Sequence, residues 1–156
     1  MATALLALAI ISNGLYAGFM LTFRTGIMPA LARLTDEQFA AAMRRINEVV
    51  PRPLFLLTFF AIVVFPAVAL VVPVEGRSGT QLWLIIAGLV CAVVNHLITV
   101  AGNVPLNNAL AASEKSGEIS DHEARTAFEP RWNRLHLIRT LFTIAAFALL
   151  VSAALS

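Results

Sequence analysis

Four stretches of the chain are almost continuously apolar, and the polar residues gather between them. The stretches run roughly over 4–22, 54–74, 82–104 and 135–155. Each is long enough to cross a hydrocarbon core of ~30 Å, which takes about 20 helical residues. After the first stretch, Thr35, Asp36, Glu37 and Gln38 form a capping box, and Phe39, Met43, Ile46 and Val50 recur at helical spacing until Pro51 stops the helix. That pattern predicts an amphipathic helix lying against the inner membrane face or the bundle. A second capping box, Ser120 to Glu123, predicts a short helix ahead of Pro130, while Gly76, Ser78 and Gly79 predict a tight turn. The expected fold is therefore all-α: an integral membrane four-helix bundle with an amphipathic cytoplasmic helix between spans 1 and 2. It forms a single membrane domain over 1–156, with no internal repeat.

Composition supports the same class. Hydrophobic residues make up 59% and charged residues 13% of the 156, against ~45–50% and ~25% in soluble domains. A soluble domain of this size cannot hide so much apolar surface in its own interior, whereas a bilayer supplies apolar surroundings. The net charge is only +2, and basic residues are interspersed with acids without aromatics laid out for base stacking, so no nucleic acid is expected as a partner. The single cysteine, Cys91, lies in an apolar run. It excludes an intrachain disulfide, cysteine-pair redox chemistry and a structural zinc site.

The basic residues also orient the chain. Arg24, Arg33, Arg44, Arg45 and Arg52 lie in the first connection and Lys115, Arg125 and Arg131 in the third, against Arg77 alone in the second. The positive-inside rule then places both long connections in the cytoplasm and both termini outside, in the cell (inner) membrane. The first stretch lacks a basic region before it and carries Arg24 after it, the reverse of a secretory signal, so it is expected to be a retained span.

Polar side chains within spans are the places to look for function, because lipid penalises them. His96, Thr99, Asn103 and Asn107 fall three and four apart along the third span. Trp132, His136, Arg139, Thr140 and Thr143 do the same along the fourth. The two stripes are expected to meet inside the cytoplasmic half of the bundle, around a pocket bounded by the long connections. Asn13 is expected to hydrogen-bond between helices. Arg139, one or two turns into its span, needs a partner: Glu129, Glu48, or a bound anionic or phenolic group. Two chemistries remain open. A neutral histidine, His136 or His96, acts as general base while Arg139 and the asparagines stabilise an oxyanion. Alternatively, His96 and His136 bind copper, or bind iron with Glu48 or Glu129.

The stretch Asn103, Val104, Pro105, Leu106, Asn107, followed by Arg131, Trp132, Asn133, Arg134, Leu135, His136, Leu137, Ile138, Arg139, resembles the anthrone oxygenase-like family of small four-span membrane proteins. So do Met43, Arg44, Arg45, Ile46, Asn47 and the glycine-containing first span. The resemblance implies an oxygenase of secondary metabolism that oxidises a polyketide anthrone, or a similar activated aromatic, with molecular oxygen as co-substrate. His136, His96 and Arg139 would be catalytic, and Asn103, Asn107, Trp132, Asn47 and Asn133 would bind a hydrophobic small molecule that reaches them through the lipid bilayer.

Two readings from other classes compete. A small-molecule transporter matches the size, but the first two spans carry no acid for proton coupling. An accessory subunit would anchor a soluble enzyme through the helix at 36–50 and would neither bind substrate nor consume oxygen by itself.

Overall fold

The computed structural model describes residues 2–156, and helices account for nearly all of them. The elements are α1 (Ala2–Thr22), a π-helical turn (Phe23–Ile27), α2 (Met28–Leu31), α3 (Asp36–Val49), α4 (Pro53–Val71), α5 (Gly79–Ile98), a second π-helical turn (Thr99–Asn103), α6 (Val104–Ser116) and α7 (Asp121–Leu155). No strand occurs among the described residues. Four helices are long and apolar enough to cross a membrane: Thr3–Leu31, Pro53–Val71, Gly79–Lys115 and Asp121–Leu155. The chain is an all-α membrane helical bundle.

The first and third spans outrun the apolar stretches that announce them, and the reason is local. Both π-helical turns contain the same short pattern, Gly26-Ile27-Met28-Pro29 and Gly102-Asn103-Val104-Pro105. A proline inside a helix removes one N–H and crowds the carbonyl four residues back. Here the extra residue of a π turn absorbs that conflict and the helix continues. A threonine in each turn bonds back to the carbonyl four residues earlier: Thr25 Oγ1 donates to the Leu21 carbonyl at 2.7 Å and Thr99 Oγ1 to that of Asn95 at 2.8 Å.

The expected break at Pro130 does not occur. α7 runs for 35 residues straight through it. Phe128 and Trp132, each 3% exposed on either side of the proline, pack the helix against Phe39 of α3 and Phe23 of the first π-helical turn, and that packing overrides the local preference. The capping box at Ser120 forms as expected, as does the one at Thr35, and α3 is the expected amphipathic helix with Phe39, Ala40 and Met43 buried.

Three apolar clusters stack along the bundle. The uppermost, with Leu6, Ala9, Ile85, Leu150 and Ala153, lies near the chain termini. Tyr16, Met20, Phe59, Ile62, Ala92 and Ala146 fill the middle. Met28, Leu31, Phe39, Met43, Leu110, Phe128 and Trp132 seat α3 on the far end. Polar ties lock that end. Arg44 donates to the Leu110 carbonyl, Ser113 and Asp121, while Arg125 donates to the Leu34 carbonyl, Asp36 and Glu129. Asn13 Nδ2 donates to the Ile62 carbonyl at 3.3 Å, the interhelical bond expected of it. In the first span Gly14 packs against Phe147, while Gly18, one turn on, faces open space.

Candidate functional site

The two π-helical turns sit at one level of the bundle, and α7 passes beside both. Where they widen the helices, a cavity of about 420 Å³ opens, with mostly apolar walls. Phe19, Met20 and Phe23 come from the first span, Ile46, Asn47, Val50, Pro51 and Arg52 from the end of α3 and its connection, Leu54 and Phe55 from the start of α4, Thr99, Asn103, Val104 and Asn107 from the third span, and Trp132 and Arg139 from α7. Leu54, Phe19 and Val104 are 70%, 42% and 39% exposed. The cavity therefore opens sideways on the apolar outer surface of the bundle.

Arg139 dominates the buried wall. It is 6% exposed, and none of the ion pairs among the described residues includes it. The carboxylates expected to reach it are engaged elsewhere, Glu129 with Arg125 and Glu48 with Arg45. Its guanidinium is held instead by neutral groups. Nη1 donates to Thr99 Oγ1 at 3.1 Å, while Nε and Nη2 both point at His136 Nδ1, at 3.2 and 3.0 Å. Its charge also lies 5.4 Å from the centre of the Trp132 ring.

These contacts assign the His136 tautomer. Arginine has only donors, so Nδ1 must accept, and the proton then sits on Nε2, which donates to the Met20 carbonyl at 3.1 Å. The ring is fully buried and stacked on Trp132 at 4.7 Å. Both nitrogens are engaged, the ring holds Arg139, and His136 does not line the cavity. His96 departs further from expectation. The inward line of the third span is Ala92, Asn95, Thr99 and Asn103, spaced by four or nearly so, and His96 sits one residue around from it. It stacks on Phe59 at 3.8 Å, half-buried, with Nδ1 against the Ala92 carbonyl, and does not line the cavity.

His96 and His136 contact different neighbours, Phe59 and Met20, and Glu48 and Glu129 are paired with arginines. Among the described residues no three of His, Cys, Asp and Glu come together as a metal-holding group.

The asparagines divide. Asn103, 1% exposed, donates from Nδ2 to the Trp132 carbonyl at 3.3 Å and leaves Oδ1 without a donor at the cavity wall. Asn107 Oδ1 accepts from Trp132 Nε1 at 2.9 Å, which fixes the indole as a wall of the cavity. Asn47 lines the cavity with its Nδ2 unpartnered, whereas Asn133 does not line it. Two further polar residues escaped the sequence reading. Tyr16 and Asn95, both fully buried, lie beside Thr99 and Arg139, with the Tyr16 hydroxyl facing Asn95 and Thr99. The available signal was Asn95 itself, one helical turn before Thr99.

The profile of the anthrone oxygenase family matches residues 39–149, more than two thirds of the chain. The chain belongs to the anthrone oxygenase family. No curated protein and no solved structure matches it. The matched anthrone oxygenase region begins at Phe39 in α3 and ends in α7, so it includes every cavity residue from Ile46 onward and both partners of the Arg139–His136 contact.

Proposed function

We propose that the protein is an oxygen-dependent oxidoreductase that takes a planar, hydrophobic, anthrone-like aromatic from the inner leaflet through the lateral opening and oxidises it in the cavity beside Arg139. The observation that carries this reading is a buried guanidinium, without a carboxylate, on the wall of an otherwise apolar cavity. A buried charge is costly unless paired, and an enolate or phenolate oxygen on the substrate supplies the missing partner.

In this reading the substrate binds as its enol, which gives its O–H proton to water at the cavity mouth, and the peroxide oxygen later takes a proton back from the same water. Arg139 stabilises the resulting anion. Asn103 Oδ1, buried and without a donor, accepts an adjacent phenolic O–H. The electron-rich ring carbon then reduces molecular oxygen and forms a C–O bond, giving a hydroperoxide once the peroxide oxygen is protonated. Loss of water from C–H and O–OH leaves the carbonyl. The carbon gives up four electrons in all, and dioxygen ends as the new carbonyl oxygen and one water. The protein binds, orients and excludes water. Thr99 and His136 fix the guanidinium, and Trp132 and the phenylalanines pack the ring faces.

The positive-inside bias supports placing the cavity at the cytoplasmic side. The test is oxygen uptake by the detergent-purified protein with 1,8-dihydroxyanthrone, using isotope-labelled dioxygen. Label in the new carbonyl and equimolar uptake are expected. A protein that binds the compound but leaves its slow spontaneous oxidation unaccelerated would overturn the reading in favour of a carrier.

A further inference from the structure

The mouth of the same cavity carries a second set of donors that oxidation at Arg139 does not use. Arg52 lines it, is exposed, and belongs to none of the ion pairs among the described residues. It is also the N-cap of α4, in extended conformation and with no side-chain cap on that helix. The first-turn N–H groups of Leu54 and Phe55 therefore have no intrahelical acceptor, and both residues line the cavity. From the end of α3, Asn47 adds an amide nitrogen that is shielded from solvent and has no acceptor. A guanidinium, a helix N-terminus and a free amide donor at one mouth form an anion-binding corner. Asn103, 1% exposed, leaves Oδ1 unpartnered on the wall of the same cavity, a buried acceptor that calls for a ligand there.

We infer that the substrate carries a second acidic group, a carboxylate on the ring edge remote from the reacting carbon, and that Arg52 with the start of α4 selects for it. The inference rests on the reading of the cavity as the substrate site. The carboxylate remains at the exposed mouth, where its solvation is retained in part, while the rings enter the apolar interior. Arg139 and Arg52 thus fix the two ends of the molecule and decide which ring edge faces the buried cation.

The same chemistry would suit a lipid phosphate, and the experiment separates the two. Binding of anthraquinone-2-carboxylate and of neutral 2-methylanthraquinone is measured by quenching of Trp132 fluorescence, in a Trp83→Phe background and a nonionic detergent. The unsubstituted site is expected to bind the acid about fivefold to tenfold more tightly, as for a part-exposed charge-assisted contact. Arg52→Gln should erase that preference, bringing the acid's affinity down to that of the neutral probe, and Arg52→Lys should keep part of it. Equal affinities before substitution, or a parallel loss of both probes in Arg52→Gln, would overturn the inference while leaving the cavity as the substrate site. If neither probe binds at all, the reading of the cavity falls and the inference with it. If phosphatidylglycerol added to the micelles abolishes the preference, the corner holds a lipid headgroup and the inference is overturned.

Discussion

Replacing His136 separates two roles that sequence alone leaves together, a proton acceptor and a support for Arg139. In His136→Leu the guanidinium loses the acceptor that Nε and Nη2 share at 3.2 and 3.0 Å, and the Met20 carbonyl loses its donor. A hydrogen bond to a charged group is worth roughly 1.5–3 kcal/mol, so a support role predicts a fall in kcat of about 10- to 100-fold, at ~1.4 kcal/mol per factor of ten. Loss of a general base costs a similar ~10²–10⁴-fold, so the leucine variant alone does not decide. His136→Gln does. Its amide oxygen can accept from Arg139 and its amide nitrogen can donate to Met20, but it cannot accept a proton near neutral pH. Oxygen-electrode turnover with 1,8-dihydroxyanthrone, between pH 5 and 9, is therefore expected to recover in His136→Gln to within about tenfold of the unsubstituted protein, a single charge-assisted bond being the most that remains imperfect. The pH profile should keep its shape. If the glutamine variant were as inactive as the leucine variant while unfolding at the same temperature as the parent, the support role would be refuted and His136 would return as the base.

Other expectations follow from packing and charge. A Cβ on Gly88 would meet Leu150 Cγ at 3.1 Å, and Leu150 is fully buried, so Gly88→Ala should lower stability by about 1–3 kcal/mol. Gly18→Ala, at a position with open space around it, should leave the thermal midpoint in detergent within a degree or two, about the effect of a few tenths of a kcal/mol. The Asp36 carboxyl is held below the usual carboxylate range, first by its hydrogen bond from His122 and then by Arg125. Its contribution to stability is thus present above the unfolded carboxylate pKa and disappears as pH falls through the lower folded value. Hydrogen exchange in α3 should therefore rise on acidification below about pH 4, and Asp36→Asn should show the faster exchange already at neutral pH.

The spans were legible because twenty-residue apolar runs have few alternatives, and the capping boxes at Thr35 and Ser120 formed because their hydrogen bonds are local. Pro130 was misread for the opposite reason: burial of Phe128 and Trp132 is a tertiary effect that helix propensity does not contain. The continuation of the first and third spans past Gly26 and Gly102 did have a sequence signal, the repeated Gly-x-x-Pro, whose meaning depends on whether the chain answers a proline with a break or with a π turn. In the site, the stripe from Trp132 to Thr143 came out buried as its periodicity implied. His96 did not join the third-span line, since one residue of rotation separates it from Asn95, and spacing of three and four tolerates either choice. That Arg139 has no carboxylate did have a local signal: Glu48 and Glu129 lie three and four residues from arginines that claim them, Arg45 and Arg125.

Arg139 is the residue on which the functional account depends, and turnover of Arg139→Gln tests it most directly. The glutamine keeps a donor toward Thr99 but removes the charge. Loss of one oxyanion-stabilising group typically lowers kcat by ~10²–10³-fold, and that fall is expected in oxygen uptake with saturating 1,8-dihydroxyanthrone, in protein whose unfolding temperature is not lowered. Arg139→Gln that turned over within a few fold of the unsubstituted rate would contradict the account.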